Sequence, residues 1–212
     1  MPDLQFKIES SGSVTFAAVP MLAFRLRLDD SAAGEAIHSI ALHTQIQIET
    51  PRRRYSPGEQ ERLLDLFGEP GRWGQTLRPM LWTHADVTVP AFSESIAVDL
   101  RVPCSFDFNL AATKYFYGLS DGDIPLIFLF SGSCFYRGEH GGLEVAPIPW
   151  SKETRFRLPV RVWRETMQHY YPNSAWLEIR QDVFDRLYLY KSQAGVATWE
   201  EALESLLDPV KV

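Results

Sequence analysis

In SIALHTQIQIE, residues 39–49, Ile40, Leu42, Thr44, Ile46 and Ile48 take every second position, and His43, Gln45, Gln47 and Glu49 fill the places between. Successive side chains of extended backbone point to opposite faces, so this strict period of two separates an apolar face from a polar one. A helix would need apolar residues three and four apart instead. The stretch therefore predicts a long strand, buried on one side and solvated on the other, as antiparallel sheets require.

The same period recurs outward from it. Phe6 and Ile8 alternate with Gln5, Lys7 and Glu9, and Phe24, Leu26 and Leu28 alternate with Arg25 and Arg27. Further strands are expected at 81–89, 95–102, 104–108 and 154–160. IPLIFLFSGSCFYR, residues 124–137, is apolar almost throughout its first half, which fits a central strand covered on both faces. Its Ser131-Gly132-Ser133 segment predicts a bulge, a bend or a close backbone approach. RGEHGG, 137–142, reads as a hairpin turn.

Helices have clear boundary signals. Ser56-Pro57-Gly58-Glu59 forms a capping box with Pro57 at the first helical position, predicting a helix over 57–67 that Gly68 and Pro70 stop. A short helix is expected from Asn109 through Ala111 and Ala112 to Tyr117, ended by Gly118. Val160, Trp163, Met167 and Tyr170 form a helical stripe up to Pro172. AWLEI, 175–179, reads as a short strand. Asp182 is expected to cap a helix carrying Phe184, Leu187 and Tyr188 and closed by Gly195; Thr198 and Glu201 form a second capping box.

Strands followed by helices without regular alternation indicate an α+β fold, an antiparallel β-sheet or β-sandwich core with an inserted helix and carboxyl-terminal helices. No linker, internal repeat or low-complexity segment interrupts the 212 residues, so a single domain over 1–212 is expected, mainly β with a helix near 57–67 in 1–158 and mainly helical in 159–212.

Composition narrows the function classes. The apolar fraction of 45 %, the charged fraction of 23 % and six Trp suit a folded globular protein. A formal charge of -6 and a pI near 5.4 oppose general binding of nucleic acid. IPLIFLF is far too short to span a bilayer, and MPDLQFKIES lacks the charged and apolar regions of a secretory leader, so a cytoplasmic location is expected.

Catalytic patterns are sparse. Neither a phosphate-binding glycine loop nor a G-x-S-x-G serine elbow occurs, although Ser133 and Cys134 in FSGSCF are the nearest thing to a nucleophile site. Cys104 and Cys134 are expected to be reduced and buried. Asp121 and Asp123 read as turn residues. The histidines His38, His43, His84, His140 and His169 show no ligand spacing, but His43, His84 and Asp86 fall on polar strand faces. They would meet only if their strands were neighbours, and metal binding would need another ligand besides. No cofactor or metal is expected.

Abundant aromatics and arginines, the usual anchors of protein interfaces, favour partner binding instead. Arg52, Arg53, Arg54, Tyr55 and Trp73 are the partner-binding candidates. Over 49–69, four arginines face five carboxylates, so the triplet is expected to pair with acidic groups of this protein or of a partner. Cations before a helix amino terminus do not suit its dipole, and helix stability does not explain them.

Four stretches together, PRRRYSPGEQERLLDLFGEPGRWGQTLRPMLWTHADVTVPAF, VDLRVPCSFDF, IPLIFLFSGSCFYR and RFRLPVRVWRETMQHYYPNSAWL, resemble a bacterial domain family of unknown function found chiefly in actinobacteria. The resemblance covers nearly the whole chain and carries over no catalytic residue. It implies an association with gene clusters for nickel-iron (NiFe) hydrogenases and their maturation factors, and hence a protein partner, a hydrogenase subunit or maturation factor, for a non-catalytic accessory protein. A hydrolase or metal-dependent enzyme near Ser133, Cys134 or the histidines, and a small-ligand carrier, are the alternatives. Homo-oligomerisation stays open.

Overall fold

The computed structural model describes residues 2–32, 36–104, 110–138, 140–175 and 177–207. Eight strands are present among them: β1 Leu4–Ser13, β2 Met21–Asp30, β3 Ile37–Ile48, β4 Met80–Val89, β5 Ser95–Pro103, β6 Asp123–Arg137, β7 Leu143–Pro147 and β8 Glu153–Pro159. They form two antiparallel sheets. One has the order β1-β2-β5; the other has the order β4-β3-β6-β7, with β8 also pairing β6. The antiparallel sheet core and the α+β class expected from alternation are both observed.

The strand at 39–49 lies inside β3, and its apolar set faces inward: Ile40, Leu42, Thr44, Ile46 and Ile48 are all buried. β6 is central, with β3 along one edge and β8 and then β7 along the other. That position explains why its first half is apolar on both faces. The two sheets meet through aromatic rings. Phe24 of β2 touches Phe128 of β6 at 5.1 Å and Trp82 of β4 at 6.2 Å, and Phe6 of β1 stacks on Phe130 of β6 at 4.4 Å. Phe24, Phe128 and Phe130, which are almost wholly buried, each contribute about 1.5–3 kcal/mol by leaving water.

Gly132 is the close approach expected at Ser131-Gly132-Ser133. Its φ is 134°, and a Cβ placed on it would lie 2.0 Å from the Ala41 carbonyl oxygen of β3. The 137–142 turn joins β6 to β7, with Arg137 opposite Leu143, as the glycines predicted.

Seven α-helices are present among the described residues: α1 Pro57–Arg62, α2 Leu64–Phe67, α3 Trp73–Thr76, α4 Leu110–Gly118, α5 Val160–Tyr170, α6 Gln181–Ala194 and α7 Trp199–Leu207. The helix expected over 57–67 is interrupted at Leu63, whose N–H is shared between the Glu59 and Gln60 carbonyls while its side chain is fully buried beside Gly118. The last carbonyls there are satisfied by a tightened turn. The Ser56–Glu59 capping box is present in full.

α1 to α5 gather at one end of the sandwich. Ile48 pairs with both Met80 and Leu126, and Asp123 pairs with Pro159, so β3 and β8 end where β4 and β6 begin. α5 buries Val160, Trp163 and Met167, and its Tyr170 hydroxyl donates to the Ala17 and Val14 carbonyls after β1.

The sequence shows no linker, yet the chain divides into two compact units, Met1–Ser174 and Ala175–Val212. In the second, α6 and α7 form a hairpin: Tyr190 and Ser205 share a hydroxyl hydrogen bond of 2.7 Å, and Phe184 and Tyr188 lie against Trp199. Its Thr198–Glu201 capping box forms, and Gly195 closes α6 at φ 66°. Asp182 differs from expectation. Arg180 is the N-cap, and Asp182 sits in the first turn, bound by the Arg180 guanidinium.

Two short expected strands are also different. Leu177, Glu178 and Ile179 of AWLEI are in no strand; an isolated extended segment has no ladder to stabilise it, and Trp176 lies outside the described residues. Of CSFDF, Cys104 follows β5 without joining a strand, and 105–108 lie outside the described residues, as does Asn109 before α4.

Candidate functional site

Arg53 is the centre of the helical end. Thr50–Arg52 make one 3-10 turn led by Pro51, and Arg53 then turns extended, with φ -117° and ψ 145°. The extended segment ends at the Ser56 N-cap, which sets α1 running back past the Arg53 side chain. Its Nη1 donates to Glu59 Oε2 at 3.0 Å and its Nη2 to Glu59 Oε1 at 2.9 Å. Nε donates to the Asp123 carbonyl at 3.0 Å, and the remaining donors reach the Arg54 and Asp121 carbonyls.

Glu59 is held from the other side as well. The Ser120 N–H donates to Oε1 at 2.8 Å and the Ser56 N–H to Oε2 at 2.9 Å. Burial by itself would raise the Glu59 pKa, but the hydrogen bonds from Arg53, Ser120 and Ser56 and the charge of Arg53 outweigh it and hold the carboxyl at about 2. For Arg53, burial disfavours the cation, yet Glu59 keeps its pKa above the ordinary value. A cation ahead of α1 is thus explained by a specific anion at the third helical position rather than by the helix dipole.

An aromatic wall adjoins this pair. The Tyr55 hydroxyl donates to the Thr50 carbonyl at 2.8 Å and accepts from Tyr115 of α4 at 2.9 Å. Trp73 donates its Nε1–H to the Gly68 carbonyl and packs edge-on against Tyr55 and Phe67. Burial pushes the Tyr55 phenol up to about 12 and the Tyr115 phenol higher still, so both stay protonated and serve as hydrogen-bonding struts.

Of the five candidates from sequence, Arg53, Tyr55 and Trp73 are therefore built into the wall, and Arg52 and Arg54 remain exposed. A surface depression of about 580 Å³ lies here, where four arginines, Arg52, Arg53, Arg54 and Arg157 of β8, meet three carboxylates, Glu59, Asp121 and Asp123. Arg52 pairs with Glu49 at 3.3 Å. Among the described residues, Arg54 and Arg157 have no ion pair. Arg157, Ser120 and Tyr115 were not singled out from sequence. Asp121 and Asp123, expected as turn residues, supply backbone carbonyls as acceptors for Arg53, and no local signal marks any of these roles.

A second cluster lies on the outer face of the larger sheet. The β3–β4 register sets His43 opposite Asp86 and Gln45 opposite His84. His43 Nδ1 and Asp86 Oδ1 are 2.5 Å apart, and the two imidazoles are stacked with centroids 5.2 Å apart. A cleft of about 260 Å³ adjoins His43, Asp86 and Thr88. The strands carrying these residues are indeed neighbours, so the condition set by the sequence is met. Among the described residues, no group of three or more His, Cys, Asp or Glu is arranged to hold a metal ion.

The nucleophile candidates do not join this cluster. Cys134 is buried on the inner face opposite Ile40, and burial pushes its thiol up to about 11; Cys104 is buried likewise, at about 12. Ser133 stands opposite Ala41, and His140 lies in the β6–β7 turn. Ser131, rather than the candidate Ser133, stands opposite His43. Among the described residues, no helix is long and apolar enough to cross a membrane.

The chain belongs to DUF6084, a family of unknown function whose model matches residues 1–212. No curated protein matches it. Similar solved structures include a protein assigned as ApaA from Bordetella pertussis, 13% identical over 74% of this chain and 95% of that one, with a TM-score of 0.27. Another, assigned as a late embryogenesis abundant protein, is 13% identical over 75% of this chain and 72% of that one, with a TM-score of 0.32. Beta-glucosidase 3B from Thermotoga neapolitana is 10% identical over 74% of this chain and 17% of that one, with a TM-score of 0.25. TM-scores this low carry no argument about function.

Proposed function

We propose that the chain is a non-catalytic protein-binding or assembly factor whose partner docks an acidic segment at the arginine-rimmed depression. The observation that carries this reading is the contrast within one triplet. Arg53 is locked to Glu59 and makes the floor rigid, while Arg54 and its neighbour Arg157 point charge at solvent with no ion pair among the described residues. A rigid base with unpaired guanidinium groups on its rim loses little entropy when it binds carboxylates, and Arg forks suit them geometrically. Steering by such a patch acts on an otherwise acidic chain, which favours a partner with a local acidic segment over a polyanion.

The resemblance of the sequence directs the choice of partner to a nickel-iron hydrogenase subunit or one of its maturation factors, in the cytoplasm. The carrier reading has less support, because Phe24, Phe128, Phe6 and Phe130 fill the space between the sheets by direct ring contact. The enzyme reading is weakened by the inward, protonated Cys134 lying on the opposite sheet face from His43 and His84.

The test is affinity purification from the native host under mild conditions, comparing the wild-type chain with Arg54→Glu/Arg157→Glu. The proposal expects a hydrogenase subunit or maturation factor with the wild type, and its loss with the charge-reversed chain at unchanged melting temperature. Recovery of no specific partner, or equal recovery with both chains, overturns it.

A further inference from the structure

We propose that His43 and His84 form a two-imidazole site on the outer face of the larger sheet for a divalent first-row transition cation of the zinc, nickel or copper kind, with Asp86 as the residue that orients His43. His84 and Asp86 are two apart on β4 and share its outward face, and His43 of β3 lies directly opposite Asp86 and diagonal to His84. Three side chains from two strands are thereby brought together on a face where the sheet backbone is rigidly paired.

The geometry is that of a metal-site outer shell. An Nδ1–H donated by His43 to Asp86 across 2.5 Å fixes the tautomer and leaves the lone pair on Nε2, the arrangement in which carboxylates orient ligating histidines. The His84 ring lies nearly parallel to it, at 16° between planes and 5.2 Å between centroids. Metal–imidazole bonds of about 2.0–2.1 Å bring two ligand nitrogens to within about 4 Å of each other, which rotation of these exposed side chains supplies. Asp86 is engaged with His43 Nδ1, so the site offers two protein ligands rather than three, and water or a docked partner completes the coordination. Imidazole pairs select zinc, nickel or copper over magnesium or calcium, which take oxygen ligands.

Two features distinguish this from scattered surface histidines. The rings of His43 and His84 are in contact, and the carboxylate is bonded to one of them rather than free in solvent. Gln45 opposite His84 and Ser131 opposite His43 add polar groups within reach of metal-bound water.

The experiment titrates the untagged full chain with Zn²⁺ alone, followed by calorimetry and by the imidazole NMR signals. One Zn²⁺ per chain is expected, shifting the His43 and His84 rings and leaving His38, His140 and His169 unmoved. His43→Gln and His84→Gln should each abolish saturable binding, Asp86→Asn should weaken it on the order of tenfold, and all three should keep the wild-type melting temperature in chelator. No saturable binding, binding unchanged in either Gln variant, or shifts centred on the other histidines overturns the proposal.

Discussion

Arg53 and Glu59 meet through two parallel hydrogen bonds of 3.0 and 2.9 Å, with their side chains only 8% and 5% exposed. The pair ties the segment before α1 to the β5–β6 connection, because the same two side chains also bind Ser120 N–H and the Asp121 and Asp123 carbonyls. Breaking one member leaves the other charged and desolvated, which is far costlier than losing a surface ion pair.

The three arginines should therefore separate sharply. Arg53→Ala is expected to lower stability by about 3 kcal/mol in denaturant titration, whereas Arg52→Ala and Arg54→Ala should stay within about 0.5 kcal/mol. Three equal losses would contradict the assignment of Arg53 as the structural member.

Acid should act through Glu59. Its folded pKa of about 2 lies below the ordinary 4.5, so its contribution is full above pH 4.5 and is lost as pH falls from there through about 2. The loss is on the order of 3 kcal/mol. Glu59→Gln should be less stable at neutral pH and flatter over that window. Parallel stability profiles for the two proteins would refute the coupling.

Thr44 is fully buried on the inner face of β3, and its Oγ1 has no hydrogen-bond partner among the described residues. Thr44→Val keeps the shape, removes an unsatisfied hydroxyl and suits a strand. It should stabilise the chain by about 1 kcal/mol, seen as a rise of about 2–4 °C in melting temperature. A lower melting temperature would show that the hydroxyl is satisfied in solution.

Gly132 leaves no room for a side chain. Gly132→Ala should cost more than about 2 kcal/mol, because both its φ and the Ala41 carbonyl oppose a Cβ. A Cβ at Gly12 in β1 meets nothing within 4 Å among the described residues, and Gly12→Ala should stay within about 0.5 kcal/mol. Comparable urea midpoints for the two variants would remove the close approach as a constraint.

Burial raises both thiols, so iodoacetamide at pH 8 should label neither Cys104 nor Cys134 in the folded chain and both after denaturation. Rapid labelling of folded Cys134, read by mass spectrometry, would restore it as a candidate nucleophile.

Much of the architecture was legible because its causes are local. Alternation in residues 39–49 identified β3 and its buried face, Ser56 and Glu59 marked the start of α1, and the glycines of 137–142 marked the β6–β7 turn. Leu63 shows the limit. The helical pattern runs through it unbroken, and only its packing beside Gly118 of α4 accompanies the division into α1 and α2.

The candidate sites were legible by residue type and not by placement. Parity alone put His43, His84 and Asp86 on polar faces, but their contact depends on the β3–β4 register, which includes an irregularity between Ile46 and Gln47. A slip of one residue would have turned them to the other side.

In the arginine triplet, sequence determined that positive charge precedes a capped helix and that acidic partners are near at hand. Nothing local ranks Arg53 above Arg52 or Arg54, since the three side chains are chemically identical. The choice was made only in the tertiary structure, where carbonyls from Asp121 and Asp123 converge on one of them. Strand faces and helix caps follow from short-range periodicity and hydrogen bonding, whereas burial of a particular charge follows from which distant backbone groups the fold brings to it.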